Sequence, residues 1–298
     1  MSIDRMKSQI SDKAGFIAAL DQSGGSTPGA LKAYGIPETA YSSDEEMFRL
    51  IHEMRVRIMT APSFSGDKVI GAILFERTMD GEAKGKPVPT YLWEERGVVP
   101  FLKIDKGLED EVNGVRMMKP MPELDKLLAR AAKLGIYGTK ERSVINLPNA
   151  EAIAAIVKQQ FEIGHQVASH GLVPILEPEV LVKSPDKKGA EAILRDEVLK
   201  ALDAMPGDYK IMLKVTIPEV ADLYADIIKH PRMERLVALS GGYSLDESCA
   251  RLKQNHGMIA SFSRALLGGL HADASDAEFD ATLSKTIDKI YDASVNKV

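Results

Sequence analysis

Short apolar runs alternate with amphipathic stretches along the whole chain. The runs cover residues 15–20, 69–75, 99–104, 137–145, 172–176, 211–216, 236–239 and 258–262. Each is of strand length and bounded by polar or turn-forming residues. Between them, apolar positions recur at helical spacing. Ser43 and Glu46 open one such stretch as a capping box, and Met47, Leu50, Ile51, Met54 and Ile58 then share a face. Pro122 opens another, carrying Leu124, Leu127, Leu128 and Ala131 and closed by Gly135. Further helices are predicted over 149–170, with Gly171 beyond, over 188–205, and from Pro218 to about 230. Ser244 and Glu247 cap one that Gly257 stops, and the last covers 277–295. Residues 81–89 read as a long surface loop.

Eight strands alternating with helices predict a parallel sheet. Eight such units in 298 residues predict an α/β fold of the closed (β/α)8 TIM-barrel type, one domain over residues 1–298. The rival is a doubly wound open sheet. That fold would call for a GxGxxG loop after the first strand, and Gly24-Gly25 lacks the spacing.

One residue breaks the apolar pattern. Lys214 sits inside Ile211-Met212-Leu213-Lys214-Val215-Thr216-Ile217. A strand buried on both faces tolerates an ammonium only where partners hold it or where it is kept neutral. A neutral lysine amine attacks carbonyl carbon. The bland alternative is a lysine at a strand end whose stem is covered and whose head reaches water.

The strand ends decide between these readings, because barrel chemistry gathers at C-terminal strand ends. The predicted ends carry Asp21, Glu76, Lys103 with Asp105 and Lys106, Lys140 with Arg142, Glu177-Pro178-Glu179, and Lys214. The last two carry Ser240-Gly241-Gly242 and Ser261-Phe262-Ser263-Arg264. Barrel interiors are normally filled by branched apolar side chains, so a purely structural ion network is a poor account of the set. Lys103 and Lys140 near Lys214 would disfavour its charged form, one route to an activated Schiff-base lysine. Glu177 and Glu179 are two apart and point to one face, so one can move protons while the other orients. Ser240-Gly241-Gly242 offers a hydroxyl and open backbone N–H groups where barrels recurrently bind phosphate, and Arg264 can grip phosphate with two nitrogens. Ser23 and Ser26, after the first strand, could hold a second phosphate. Each loop alone is also an ordinary tight turn; together they point to an anionic, bisphosphorylated substrate.

Composition narrows the class. The chain is 45% hydrophobic and 27% charged, with a net charge of −5 mixed along its length. No basic block suggests nucleic acid, and no apolar run approaches a membrane span. The first residues are polar and lack a signal-peptide core. Cys249 is the only cysteine, which fits a reducing, cytoplasmic setting and a buried, inert thiol. The six histidines are scattered without zinc-like spacing, so no metal site is expected.

These residues resemble a class I fructose-bisphosphate aldolase of the short bacterial kind, over nearly the whole chain. The resemblance is carried by Ala18-Ala19-Leu20-Asp21-Gln22-Ser23, Phe101-Leu102-Lys103-Ile104-Asp105-Lys106-Gly107 and Val173-Pro174-Ile175-Leu176-Glu177-Pro178-Glu179. Met212-Leu213-Lys214, Leu239-Ser240-Gly241-Gly242 and Ser261-Phe262-Ser263-Arg264 complete it. It implies a lyase that reversibly cleaves fructose 1,6-bisphosphate into dihydroxyacetone phosphate and glyceraldehyde 3-phosphate, a step of glycolysis and gluconeogenesis. No metal or organic cofactor is implied, because the imine itself is the electron sink. Lys214 is then the imine-forming nucleophile and Glu177 the acid/base that expels water. Asp21 takes the C4-hydroxyl proton, Lys140 supports charge near the reacting hydroxyls, Lys103 contacts substrate and Asp21, and Glu179 helps position Lys214. Ser240, Gly241 and Arg264 bind the ketose-half phosphate, and Ser23 and Ser26 the other. Arg142, Gly242, Ser261 and Ser263 complete the expected substrate contacts.

The chain departs from the animal enzymes of this family at several positions. Gln22 stands for a glutamate, Ser263 for a glycine, and Ala30 for a phosphate-gripping arginine, with Lys32 the nearby candidate to take its place. The sequence ends Asn296-Lys297-Val298, without the C-terminal tyrosine that assists enamine protonation there, so that step falls to Glu177 or water. Two other functions fit the same residues: a Schiff-base aldolase for another ketose such as tagatose 1,6-bisphosphate, and a phosphosugar-binding scaffold with a decayed site. The intact set of Asp21, Lys103, Lys140, Glu177 and Lys214 argues against the scaffold. Oligomeric state is not set by the sequence.

Overall fold

The computed structural model describes residues 3–298. Eight parallel strands follow one another around a ring: β1 (Phe16–Leu20), β2 (Val69–Leu74), β3 (Val99–Lys103), β4 (Gly138–Ile145), β5 (Val173–Val180), β6 (Ile211–Thr216), β7 (Met233–Leu239) and β8 (Met258–Ala260). Neighbours in sequence are neighbours in the sheet, and Ala19 N donates to Phe262 O at 3.2 Å where β8 meets β1. The result is a nearly closed (β/α)8 barrel, as the alternation predicted.

Strand alternation sorts the side chains into layers. Inward-facing Ile17, Ile70, Ile73, Val99, Phe101, Tyr137, Ile175, Met212, Val237 and Ile259 form one apolar cluster inside the ring. Met6 and Ile10 of an N-terminal helix, Ile3–Asp12, plug it from below. Two residues further along the same strands, the inward face turns polar: Phe101 is followed by Lys103, Ile175 by Glu177 and Met212 by Lys214. The period of two therefore places a charged layer directly above a dry one. Outward-facing residues such as Leu20, Leu102, Leu176 and Leu213 join the larger core beneath the helices.

Gly138 shows how tightly this ring is built. A Cβ there would sit 2.2 Å from Val173 O and 2.9 Å from the Phe101 ring, so only glycine lets β3, β4 and β5 close up.

The structure corrects several expected boundaries. β5 does not stop at Leu176; it runs through Glu177-Pro178-Glu179, with Arg142 opposite Glu177 and Val144 opposite Glu179. β7 begins at Met233. The supposed loop at 81–89 contains an antiparallel hairpin, Glu82–Ala83 with Lys86–Pro87, and Val88 starts a helix, Val88–Arg96. Ala83 and Val88 are buried, which explains the order there. After Pro218 only Ala225–Lys229 is helical. Ser43 caps its helix as expected, but Glu46 returns to Ser42 rather than to Ser43.

Candidate active site

The C-terminal mouth of the barrel opens into a cavity of about 950 Å³. Its wall holds Asp21, Ser23, Ser26, Lys103, Lys140, Arg142, Glu177, Glu179, Lys214, Ser240, Gly241, Ser261, Ser263 and Arg264. Of the expected site residues only Gly242 stands outside the wall. It lies immediately behind: a Cβ on it would be 3.6 Å from Arg264 Nη2. Gly241 has φ +61, a left-handed backbone that lets the loop after β7 turn over the mouth.

Lys214 is 4% exposed. The ladder between β5 and β6 ends at Leu176–Leu213, one residue before it. Above that point the two strands part, and Thr216 Oγ1 ties them again by donating to Val180 O at 2.6 Å. Lys214 and Glu177 both line the cavity, with Lys214 Nζ 3.4 Å from Glu177 Oε1.

Lys140 is the hub of the charges. Its Nζ is 2.7 Å from Asp21 Oδ2 and 2.9 Å from Glu177 Oε2, and all three side chains are at least nine-tenths buried. Burial alone would push the Asp21 carboxyl up. Lys140, Lys214 and Lys103 together outweigh it and hold that carboxyl far below the usual carboxylate range. Glu177 is likewise held low: burial raises it, Lys140 and Lys214 prevail, and Asp21 works against them. Lys140 is held up the same way, burial being overcome by Asp21, Glu177 and Asp105. Both carboxylates are therefore ionised proton acceptors beside a permanent ammonium.

Two expected contacts take a different form. Glu179 Oε2 pairs with Arg142 Nε at 2.5 Å, so the carboxylate beside Lys214 is Glu177. Lys103 Nζ donates to Asp105 Oδ1 at 2.7 Å and to Asp105 O at 3.0 Å. Burial, and after it Lys140, lower its pKa against the pull of Asp105. Its influence on Asp21 is through space.

Other strand-end residues turn away. Glu76 begins a short helix, Glu76–Met79, and binds Lys106 and Arg130 outside the cavity. Lys32 is exposed and absent from the wall, whereas Ala30 lines it. Ser26 accepts from Ser23 N and donates to Ser23 O, both at 3.0 Å, which locks the turn after β1.

Three residues outside the expected site set belong to the site or its support. Arg116 lines the cavity from a short strand, Val115–Arg116, that pairs antiparallel with β4. Gln22 lines it as well, and fully buried Arg55 lies behind, bonded to Gln22 O and to Thr78 Oγ1 at 2.8 Å. Arg55 was visible only as an arginine in an otherwise apolar helical face; Arg116 had no periodic signal at all.

Six cationic side chains and four carboxylates line the mouth, so the wall is net positive and a buried amine stands at its floor. Fold and wall together define a barrel enzyme shaped for an anionic carbonyl substrate. The family profile described as class-I fructose-bisphosphate aldolase matches residues 5–222. A class 1 fructose-bisphosphate aldolase of Porphyromonas gingivalis is 56% identical over 287 residues, covering 96% of this chain and 97% of its own. One of Synechocystis is 54% identical over 281 residues, with 94% of each chain covered. A solved Plasmodium falciparum fructose-bisphosphate aldolase shares the fold, with a TM-score of 0.79 at 20% identity over 99% of this chain and 96% of that one. The chain belongs to the class I fructose-bisphosphate aldolase family.

Proposed function

We propose that the chain cleaves fructose 1,6-bisphosphate reversibly through an imine on Lys214. The observation that carries this reading is the buried Lys214 amine 3.4 Å from an ionised Glu177, itself held by Lys140. Lys214 Nζ adds to the C2 ketone. Glu177, ionised at rest, takes a proton from the attacking nitrogen and passes it to the departing oxygen, water leaves, and a protonated imine remains. Asp21 then takes the C4-hydroxyl proton as the C3–C4 bond breaks. The bonding pair moves into the imine to give an enamine, and glyceraldehyde 3-phosphate departs. A proton returns to C3, water adds to the imine, and dihydroxyacetone phosphate is released from the regenerated amine.

The remaining wall residues divide by chemistry. Lys140 and Lys103 stabilise the charge that develops at the hydroxyls. Glu179 orders Arg142 at the rim and acts on Lys214 from a distance. Ser240, Gly241, Gly242, Ser261, Ser263 and Arg264 cradle the C1 phosphate, and Ser23, Ser26 and Arg142 face the other end of the sugar. The step joins a hexose bisphosphate to two triose phosphates in glycolysis and gluconeogenesis. A cytoplasmic setting is supported by a lone, buried Cys249 whose thiol burial pushes up to about 11.

Borohydride added with dihydroxyacetone phosphate tests the reading. It should attach the reduced triose phosphate to Lys214 alone, and cleavage should persist in EDTA. An adduct on another lysine, or loss of activity on chelation, overturns it.

A further inference from the structure

Lys103, Arg116, Lys140, Arg142, Lys214 and Arg264 are the cations of the cavity wall. Four are held by carboxylates: Lys103 by Asp105, Lys140 by Asp21 and Glu177, Arg142 by Glu179, and Lys214 by Glu177. Among the described residues, Arg116 and Arg264 have no acidic partner. A guanidinium left unpaired at the wall of a substrate cavity is a ready anion site, and a sugar bisphosphate brings two dianions.

The two arginines stand apart. Arg264 follows β8, beside Gly242. Arg116 lies opposite Val144 near the C-terminal end of β4. In a ring of eight strands taken in order, β4 faces β8 across the axis. A sugar held at its C1 phosphate beside Arg264 therefore extends towards Arg116.

The side chain is also presented for the task. Arg116 Nε donates to Glu109 O at 2.8 Å. That bond steadies one edge of the guanidinium. Both Nη nitrogens keep no protein acceptor among the described residues, and they form the fork that meets phosphate bidentately. The loop after β1 supplies little by comparison. Ala30 is uncharged, and Ser26 spends its hydroxyl proton on Ser23 O.

We propose that Arg116 binds the C6 phosphate of the sugar, opposite Arg264 at the C1 end. The proposal rests on the aldolase reading and adds a specificity residue to it: Arg116 makes the site prefer bisphosphates to monophosphates.

Steady-state cleavage of fructose 1,6-bisphosphate and fructose 1-phosphate by wild type, Arg116→Ala and Arg116→Lys tests it. Arg116→Ala should raise KM for the bisphosphate about 10- to 100-fold, the range for a lost charged hydrogen-bond pair. Its kcat on the bisphosphate, and both constants for fructose 1-phosphate, should stay within about twofold, since only uniform binding at the far phosphate is removed. Arg116→Lys should recover part of the loss. Equal damage on both sugars marks Arg116 as merely structural and overturns the proposal, as does an unchanged bisphosphate KM. Equilibrium binding of the hexitol bisphosphate made by reducing fructose 1,6-bisphosphate keeps the two readings separable. If wild type cleaves neither sugar, the aldolase reading fails, and this measurement decides on Arg116: weaker binding in Arg116→Ala supports it, unchanged binding overturns it.

Discussion

Gln22 Nε2 donates to Ser263 Oγ at 2.6 Å. The bond joins the loop after β1 to the loop after β8 at the edge where the barrel closes. Arg55 fixes the direction of the donation. Its Nη2 lies 3.3 Å from Gln22 Oε1 and also binds Gln22 O, so the amide oxygen faces the guanidinium and the NH2 faces Ser263. Ser263 Oγ is thereby an acceptor, and its own proton is free to point into the cavity. Gln22 and Ser263 are two of the positions at which the chain departs from the animal enzymes it resembles, and the structure makes them one unit.

Gln22→Glu should therefore weaken substrate binding although it keeps size and shape. A carboxylate satisfies Arg55 but cannot donate, so the Ser263 proton turns towards it and away from phosphate. KM for the bisphosphate should rise roughly five- to tenfold, the equivalent of one hydrogen bond, with kcat little changed. Ser263→Ala should give a similar rise. The double variant should be no worse than the poorer single one, because both remove the same donor. Additive losses in steady-state kinetics would show two independent contacts instead.

The two glutamates of β5 should separate in their effects. Glu177 touches both Lys140 and Lys214, whereas Glu179 pairs with Arg142. Glu177→Gln should slow borohydride-trappable adduct formation with dihydroxyacetone phosphate about 100-fold or more, the usual scale of a lost acid/base. Glu179→Gln should form the adduct at close to the wild-type rate and show its defect in KM. Equal trapping defects would mean that Glu179 acts on Lys214 directly.

Much of this arrangement was legible because a barrel strand exposes its logic in pairs. Phe101 then Lys103, Ile175 then Glu177, and Met212 then Lys214 each step from dry core to charged mouth in two residues, and that step is readable without coordinates. The apolar run ends at Leu176, and that hid the end of β5. Pro178 lacks an N–H, yet it is accommodated opposite Ser143 while its neighbours keep the ladder. Glu76 misled in the other direction, since a strand-end acid says nothing about which way the next helix turns it. Arg116 was out of reach. It arrives at the mouth only because a two-residue strand folds back on β4, a long-range pairing with no local pattern.

Lys140→Met should destabilise the protein in a pH-dependent way. The Asp21 and Glu177 carboxyls titrate below their ordinary values in the folded chain, so their contribution is present above the ordinary carboxylate range and is lost as pH falls through the folded values. The Lys140 pKa is raised, so its share is fully present below its ordinary value and is lost only as pH rises through the higher, folded one. Breaking a buried pair of this kind costs about 3–5 kcal/mol. Urea unfolding should show a deficit of that order, flat from about pH 6 to 9 and shrinking below about pH 4. A deficit that grows towards acid would place the stabilising charge elsewhere.

Glu141 should behave with the opposite sign. It lies between Lys140 and Arg142 in β4, so its side chain leaves the strand on the other face, into the layer beneath the helices. It is fully buried, and among the described residues neither carboxyl oxygen has a hydrogen-bond partner. Burial first, and then the Asp105 carboxylate, push its pKa well above the ordinary 4.5, against the pull of Lys140. The folded chain keeps this proton while the unfolded chain releases it. Wild-type stability therefore falls as pH rises from about 4.5 towards the folded value, by at most about 1.4 kcal/mol per pH unit for this one group. Glu141→Met has no proton to lose. Its stability relative to wild type should climb between about pH 5 and 8, and cleavage should be retained because the cavity wall is untouched. Denaturation midpoints measured across that range decide the matter: a variant that instead loses ground as pH rises would mean that Glu141 is ionised in the folded protein and held by a cation.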